Sequence, residues 1–427
     1  MQAEQLVQAL AQIGPDRVEE ICGVGGEHIL NVDRIEPGDA RLFDHIDEMQ
    51  PGFLDECAEL IGSALAQGQR QKIEVPGGIE PLGKEIGGLI GNSLHRSDLS
   101  YQEGVWCDMT LTLAVLIAVQ AQAWQVTVDS LAKSGQFSGV VLVAQGGVPQ
   151  FERAYGMADR EAGRPNTLET SFNLGSINKL FTGIAIRQLA AAGKLDLDSS
   201  LARAWPDYPN PDVARRVTIR QILEHRSGIQ GNIFAAPPGK TRHDVVTLQD
   251  YFDLFKNEPL QFEPGSRQQY SNAGYIVLGL VIEKLSGENY YEYVRRHIYE
   301  AAGMTQTGSW RIDRWPANTA LGYTRGGQDA APDAPLQRNT DFLPGKGSSA
   351  GGGYSTAHDL LRLVNALRER KIPAGPPAGV GIAGGAPGLN AAVEGDLPGG
   401  YDVIVLANLD PPAAERIARL IRTALAR

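Results

Sequence analysis

The sequence predicts an α/β fold in which one β-sheet is flanked by helices. Residues 137–144 are rich in β-branched and apolar side chains, and residues 401–407 are almost entirely apolar, as expected of a buried central strand. Between these segments the apolar residues recur mostly with helical spacing. Strands on both sides of a helical block have to meet in one sheet, with the helices outside it.

The individual elements follow from the periodicity and the turn residues. Residues 145–149 form a turn and residues 150–158 resume the strand pattern, which predicts a β-hairpin with residues 137–144. A helical pattern runs over residues 176–192 and ends at Gly193. Further helices are predicted at residues 218–225, 273–285, 290–302, 356–370 and 413–426.

Composition indicates a globular protein that binds neither nucleic acid nor metal. The chain has 427 residues, 42% of them hydrophobic and 21% charged, which suggests two or three folded units. A formal net charge of −11 opposes attraction to nucleic acid or anionic lipid. Cys22, Cys57 and Cys107 form no Cys-x-x-Cys pair, and the seven histidines are scattered singly. No metal and no cofactor are therefore expected.

Residues 109–123 have the pattern of an internal signal peptide. The apolar run 111–119 is followed by Ala121-Gln-Ala123, an A-x-A cleavage pattern, and the run is too short to span a membrane stably. A translation start at Met109 would yield a periplasmic or secreted protein beginning near Trp124. Against a signal peptide, no Lys or Arg lies between Met109 and the apolar run, and Asp108 precedes both. A buried helix is therefore the alternative. Residues 1–108 receive no functional assignment.

Ser176 begins a Ser-x-x-Lys tetrapeptide where a loop enters a strongly apolar helix. Positions three apart lie on one helix face, so the ammonium of Lys179 can reach back towards the serine oxygen. Burial would lower the pKa of Lys179 and let it act as a base, and the helix N-terminus would favour a developing alkoxide. Taken alone, the tetrapeptide favours a structural interpretation, an N-cap serine beside a solvated lysine.

Tyr270 and Asn272 stand at the start of a second apolar helix. A tyrosine can relay a proton if a nearby cation lowers its pKa, and an asparagine can orient a lysine and bind a substrate amide. On its own, a tyrosine at a helix entrance is usually a packed residue with one hydrogen bond.

Six segments in order resemble the β-lactamase-related serine hydrolases, the group that spans class C β-lactamases, D-alanyl-D-alanine peptidases and family VIII esterases. The segments are residues 137–144, 154–159, 172–182, 223–228, 270–272 and 351–356. The resemblance covers about residues 125–427. It implies an antiparallel sheet flanked by helices beside a mostly helical subdomain, with the active site between them. It also implies that Ser176 attacks a carbonyl, that Lys179 and Tyr270 share the proton transfers, and that Asn272 positions the substrate.

A rival nucleophile is Ser349, in a segment that satisfies the Gly-x-Ser-x-Gly pattern of α/β-hydrolases. That pattern needs a strand before the serine and a helix directly after it. Pro344 and Gly345 precede the segment and three glycines follow, so a flexible loop at the cleft is the favoured interpretation.

The chain departs from the family pattern on the strand expected to edge the site. Relatives carry Lys-Thr-Gly or His-x-Gly there, whereas this chain has Ile382, Ala383 and Gly384, and the segment leading to the strand is short. Ala383 and Gly384 are still expected to contact the substrate, since an oxyanion hole needs only backbone N–H groups. The missing cation favours small esters or amides over β-lactams as substrates. The alternative is a weakened or inactive pseudoenzyme that binds peptide or β-lactam-like ligands.

Overall fold

The computed structural model describes residues 124–326, 331, 334–373 and 379–426. The unassigned region 1–108, the signal-like segment 109–123 and the three cysteines lie outside the described residues, so the expectations for them stay predictions. In the described part of the chain, no helix is both long enough and apolar enough to cross a membrane.

A five-stranded antiparallel sheet joins strands from the two ends of the described chain, in the order β2-β1-β11-β10-β9. The first predicted strand pairs directly with the last one, because Leu142 lies opposite Ile404. The predicted α/β architecture is therefore confirmed, and so is the predicted hairpin of β1 and β2. In chain order the strands are β1 (Gly139–Gln145), β2 (Val148–Tyr155), β3 (Met157–Asp159), β4 (Arg164–Pro165), β5 (Phe172–Asn173), β6 (Tyr323–Thr324), β7 (Gln337–Arg338), β8 (Tyr354–Ser355), β9 (Gly381–Ala386), β10 (Leu389–Leu397) and β11 (Tyr401–Ala407).

Helices cover the sheet and, together with short two-stranded sheets, form the rest of the domain. The predicted helices at 218–225, 273–285, 356–370 and 413–426 are confirmed within a few residues at each end. The predicted helix 290–302 is also present, with a π-helical segment, Arg295–Tyr299, in its middle. In chain order the α-helices are α1 (residues 124–133), α2 (Asn178–Ala191), α3 (Leu201–Ala204), α4 (Pro211–Arg216), α5 (Ile219–Leu223), α6 (Leu248–Asp253), α7 (Asn272–Ser286), α8 (Tyr290–Val294), α9 (Glu300–Ala302), α10 (Ala357–Arg368) and α11 (Ala413–Leu425).

The alternation of side chains along the central strands creates two hydrophobic cores. Val141 and Val403 point to the face covered by α1 and α11, whereas Leu142 and Ile404 point to the face covered by the helical part of the domain. All four side chains are fully buried. Full burial of one Val, Leu or Ile side chain stabilises the fold by about 1.5–3 kcal/mol relative to leaving it exposed. Because both faces of the sheet are covered, both strands are nearly continuous apolar runs.

Helices α2 and α7 cross beneath the site and bring its residues together. Residues 273–282 of α7 are all buried, as expected of a helix that is apolar on every side. Ser271 is its N-cap and accepts the Gly274 N–H at 2.9 Å, and Gly287 ends it with a φ of 77°. The entrance of α7 thereby lies against the first turn of α2.

Candidate active site

Ser176 lies in a 3₁₀ turn, Gly175–Ile177, that connects β5 to α2. Gly175 has a φ of 50°, and a Cβ atom there would lie 2.9 Å from the Gly385 nitrogen. Glycine is needed at this point because both the left-handed backbone and the close approach of β9 exclude a side chain. The turn therefore presses Ser176 against the edge strand β9 and leaves its side chain partly exposed.

Lys179 is buried one helical turn after Ser176 and contacts three oxygen atoms. Its Nζ atom lies 3.2 Å from Ser176 Oγ and 2.8 Å from Asn272 Oδ1, and it donates a hydrogen bond to the Ala350 carbonyl. Only 5% of the residue is exposed. Burial lowers the pKa of Lys179 to about 7, because desolvation disfavours the ammonium form. The structural interpretation of the Ser-x-x-Lys tetrapeptide assumed a solvated lysine, whereas Lys179 is buried.

Tyr270 lies on the other side of the serine, with its hydroxyl oxygen 2.5 Å from Ser176 Oγ. Lys179 Nζ stands 4.7 Å from the centroid of the Tyr270 ring. The sequence argument allowed a proton relay by Tyr270 on the condition that a nearby cation lowers its pKa, and that condition is not met. Burial raises that pKa more than the hydrogen bond to Ser176 lowers it, so the phenol stays protonated at neutral pH.

Asn272, in the first turn of α7, contacts the lysine through its carbonyl oxygen. It therefore orients Lys179, which is one of the two roles that the sequence suggested for it. Its side chain is partly exposed.

Strand β9 runs directly beside Ser176, with Gly384 at the point of closest approach. A Cβ atom on Gly384 would lie 2.1 Å from the Leu174 oxygen and 2.6 Å from the Ser176 nitrogen, so no larger residue fits. Ile382 lies on the same strand face and packs against the core beneath the site. Ala383 points to the opposite face, so only its backbone can reach a substrate at Ser176. The strand thus occupies the predicted position without the cation that relatives carry.

Ser349 lies in a buried segment rather than in the flexible loop that the sequence suggested. The residue is 0% exposed, and the backbone carbonyls of Ser348 and Ser349 accept hydrogen bonds from side chains of α2. Asn178 donates to the Ser348 carbonyl at 3.0 Å, and Thr182 donates to the Ser349 carbonyl at 2.7 Å. The segment supplies the Ala350 carbonyl to Lys179. A buried hydroxyl with no access to solvent cannot serve as the nucleophile.

Two groups at the site, the Ala350 carbonyl and His225, were not predicted from the sequence. The Ala350 carbonyl carries no side-chain signal, and only the glycines on both sides of it hint at a backbone in close contact. His225 falls within a segment that resembles the family, but nothing in its spacing links it to Tyr270. In the structure the two rings lie 4.7 Å apart between centroids.

Among the described residues, no three or more His, Cys, Asp or Glu side chains form a group that could hold a metal ion. The chemistry available at Ser176 is instead that of a serine between a lysine and a tyrosine, with backbone N–H groups of the turn and of β9 nearby.

A family model and two similar proteins point to the same family. The family model described as Beta-lactamase matches residues 124–378. Esterase EstB of Burkholderia gladioli is 32% identical over 306 residues, which are 64% of this chain and 76% of EstB. Penicillin-binding protein 4* of Bacillus subtilis (strain 168) is 35% identical over 188 residues, which are 43% of this chain and 40% of that protein. The chain thus spans less than half the length of this second relative.

Solved structures agree with the sequence comparison. The crystal structure of a penicillin-binding protein from Bacillus halodurans is 31% identical, has a TM-score of 0.58, and matches over 70% of this chain and 99% of that chain. The fold that the six segments implied is therefore confirmed. The chain belongs to the β-lactamase family of serine hydrolases.

Proposed function

We propose that this chain hydrolyses small esters or amides through an acyl-enzyme formed on Ser176. The observation that carries the proposal is the arrangement of Lys179, which is buried, has a pKa lowered to about 7, and lies 3.2 Å from the serine oxygen. A base with a pKa near the working pH is the most effective kind, because it is available in the neutral form and still accepts a proton.

The hydrogen bonds around Lys179 direct its lone pair towards the serine. A neutral amine has two N–H groups, and the acceptors Asn272 Oδ1 and Ala350 O can take both of them. The remaining lone pair then faces Ser176 Oγ. The serine proton can pass to Lys179 while Oγ attacks the substrate carbonyl, and the oxyanion would accept hydrogen bonds from backbone N–H groups of Ser176 and β9.

Tyr270 complements the lysine because its phenol remains protonated. Its hydroxyl, 2.5 Å from Ser176 Oγ, can donate a proton to the departing alcohol or amine and be reprotonated from Lys179. In the second half of the reaction water attacks the acyl-enzyme, its proton passes to the same pair, and Ser176 regains its proton as the acid is released. The net reaction consumes one water and regenerates both groups.

Neutral substrates are favoured by the apolar side chain of Ile382. It offers no charge-assisted hydrogen bond to a carboxylate, and such bonds are about twice as strong as neutral ones. The 32% identity to an esterase points the same way. The pseudoenzyme alternative is less favoured, because Lys179 and Tyr270 both lie within hydrogen-bond distance of Ser176 Oγ.

Labelling with a fluorophosphonate probe, with mass mapping of the modified peptide, tests the proposal. We expect the probe on Ser176, and we expect Ser176→Ala to lose both labelling and hydrolysis of p-nitrophenyl esters. Ser349→Ala is the matched control, because it removes the hydroxyl of the rival candidate nucleophile, and it should keep both properties. Loss of labelling in the Ser349 variant alone, or a wild type that neither labels nor hydrolyses esters, would overturn the proposal.

A further inference from the structure

His225 has a backbone conformation that its residue type disfavours. It follows the C-cap Glu224 of α5 and has a φ of 58°. The His225 N–H donates to Ile222 O at 3.1 Å and the Arg226 N–H donates to Gln221 O at 2.7 Å, which together make a Schellman motif. Glycine is the usual residue at this position because a Cβ atom is unfavourable in the left-handed region. Replacement of His225 by glycine would therefore relieve the backbone at this position.

The imidazole contacts the entrance of α7 in two ways. Its Nδ1 atom accepts the Ser271 N–H at 3.1 Å, which fixes the backbone between Tyr270 and Asn272. Its ring packs on Tyr270 and on Tyr275, with centroid distances of 4.7 Å and 5.1 Å and interplanar angles of 32° in both pairs. The phenol that meets Ser176 is therefore held at its ring and at its following peptide by one side chain.

The acceptor role requires a neutral imidazole protonated at Nε2, since an imidazolium has no free lone pair at Nδ1. Burial and the neighbouring charge of Lys179 lower the pKa of His225 to about 4, which keeps the ring neutral at physiological pH. Geometry and electrostatics thus agree on one tautomer.

We propose that His225 is a positioning residue for the reaction at Ser176: its Nδ1 acceptor and its ring fix the Tyr270 hydroxyl against Ser176 Oγ. The inference rests on the proposed hydrolase function, in which Tyr270 carries protons. A displacement of about 1 Å in a catalytic group can lower a rate by about a hundredfold. The side chain would therefore act mainly on kcat, through Tyr270, and little on KM.

His225→Gly is the decisive variant, because it removes both contacts and at the same time relieves the backbone. We expect unchanged or higher thermal stability, a kcat lower by about tenfold to a hundredfold, and a KM within about twofold of the wild type. His225→Asn keeps an acceptor in the position of Nδ1 and tolerates the left-handed region, so it should recover part of the kcat.

Arg370 provides a matched control. It has a φ of 56° after the C-cap Glu369 of α10, with the same pair of hydrogen bonds, from Arg370 N to Leu367 O and from Lys371 N to Ala366 O. Its side chain is exposed. Arg370→Gly should relieve the backbone in the same way and leave kcat unchanged.

Two further measurements separate positioning from a general structural role. In the Tyr270→Phe background, His225→Gly should lower kcat by less than about twofold, because its effect passes through the Tyr270 hydroxyl. ¹⁵N NMR of the histidine side chains, assigned by comparison with His225→Gly, should find Nε2 protonated and Nδ1 unprotonated in His225.

The inference is overturned by wild-type kcat in His225→Gly, by an equal loss of kcat in Arg370→Gly, by the absence of recovery in His225→Asn, or by full additivity with Tyr270→Phe. A proton on Nδ1 overturns it even if the chain hydrolyses no ester. By contrast, if the wild type hydrolyses no ester, only the proposed function is contradicted. The NMR experiment still determines the tautomer of His225.

Discussion

Asn272 Oδ1 lies 2.8 Å from Lys179 Nζ and is one of the two oxygen atoms that hold the amine towards the serine. Because the amide is uncharged, it orients the lysine without stabilising the ammonium form as a carboxylate would. Asn272→Asp has the same shape and places a negative charge at that point. A neighbouring anion raises the pKa of a lysine, so more alkaline conditions are needed to deprotonate it.

We therefore expect Asn272→Asp to shift the acidic limb of the pH profile of kcat/KM to higher pH by at least about one unit, with a rate at pH 7 about tenfold lower than wild type. The measurement is hydrolysis of a neutral p-nitrophenyl ester between pH 5 and 10. An unshifted limb would mean that Lys179 is not the titrating base.

Lys179→Met should abolish most activity and change how stability depends on pH. A general base typically contributes about a hundredfold to ten-thousandfold, so the rate should fall by that factor. The folded-state pKa of about 7 lies below the ordinary value of 10.5, so between these values the unfolded chain binds more protons. In the wild type the resulting penalty is fully present below pH 7 and is lost as the pH rises towards 10.5.

Methionine has no such titration, so the difference in free energy of unfolding between Lys179→Met and wild type should fall with rising pH. The expected slope is about 1.4 kcal/mol per pH unit between pH 7 and 10. Urea denaturation at several pH values measures it. A difference that is constant over this range would contradict a lowered pKa of Lys179.

Gly384→Ala should push β9 away from the serine. The new Cβ atom would meet the Leu174 oxygen at 2.1 Å and the Ser176 nitrogen at 2.6 Å, and both are backbone atoms that cannot turn aside. We expect a loss of about 1–3 kcal/mol in stability together with a reduced kcat. Gly381→Ala in the same strand is the control, because a Cβ there meets nothing within 4 Å. Equal behaviour of the two variants would argue against the close approach of β9 to Ser176.

Ile382→Lys should improve the hydrolysis of carboxylate-bearing substrates relative to neutral esters. A charged hydrogen bond contributes about 1.5–3 kcal/mol, which corresponds to about tenfold to a hundredfold in the ratio of kcat/KM for a chromogenic cephalosporin and a short neutral ester. Ala383→Lys is the matched control, because its side chain leaves the opposite face of β9. An unaltered ratio in folded Ile382→Lys, or strong cephalosporin hydrolysis by the wild type, would contradict this account of substrate preference.

A protein that begins at Trp124 should fold without residues 1–123. Trp124 is 5% exposed, and its ring centroid lies 4.8 Å from that of Phe151. Helix α1 therefore packs into the hydrophobic core on one face of the sheet. We expect a soluble protein with a cooperative thermal transition. A protein that begins at Gln136 lacks α1, exposes Val141 on the sheet face, and should be less stable by several kcal/mol. Aggregation of the Trp124 protein alone, with a soluble full-length chain, would place residues 1–123 in the folding unit.

Local periodicity sufficed for most of the elements, whereas the nucleophile role of Ser176 was implied only by the resemblance of six segments to a known family. The segments at both ends of the domain carry strand patterns, and Ser176 precedes an apolar helix with Lys179 one turn later, because side-chain direction along a helix or strand depends only on residue spacing. The resemblance of six segments, in order, to a known family then assigned Tyr270 and Asn272 to the same predicted site as Ser176 and Lys179.

Only the tertiary structure decided the electrostatics and the backbone contacts. The raised pKa of Tyr270, a residue that is 52% exposed, depends on how far the surrounding elements desolvate its hydroxyl, and the Ala350 carbonyl and the Nδ1 atom of His225 reach the site from segments far along the chain. A carbonyl group has no sequence signature, and desolvation is a property of the packed neighbours rather than of the residue. The candidate nucleophile Ser176 can therefore be identified from the sequence, whereas the protonation states and positioning contacts around it exist only once α2, α7 and β9 have come together.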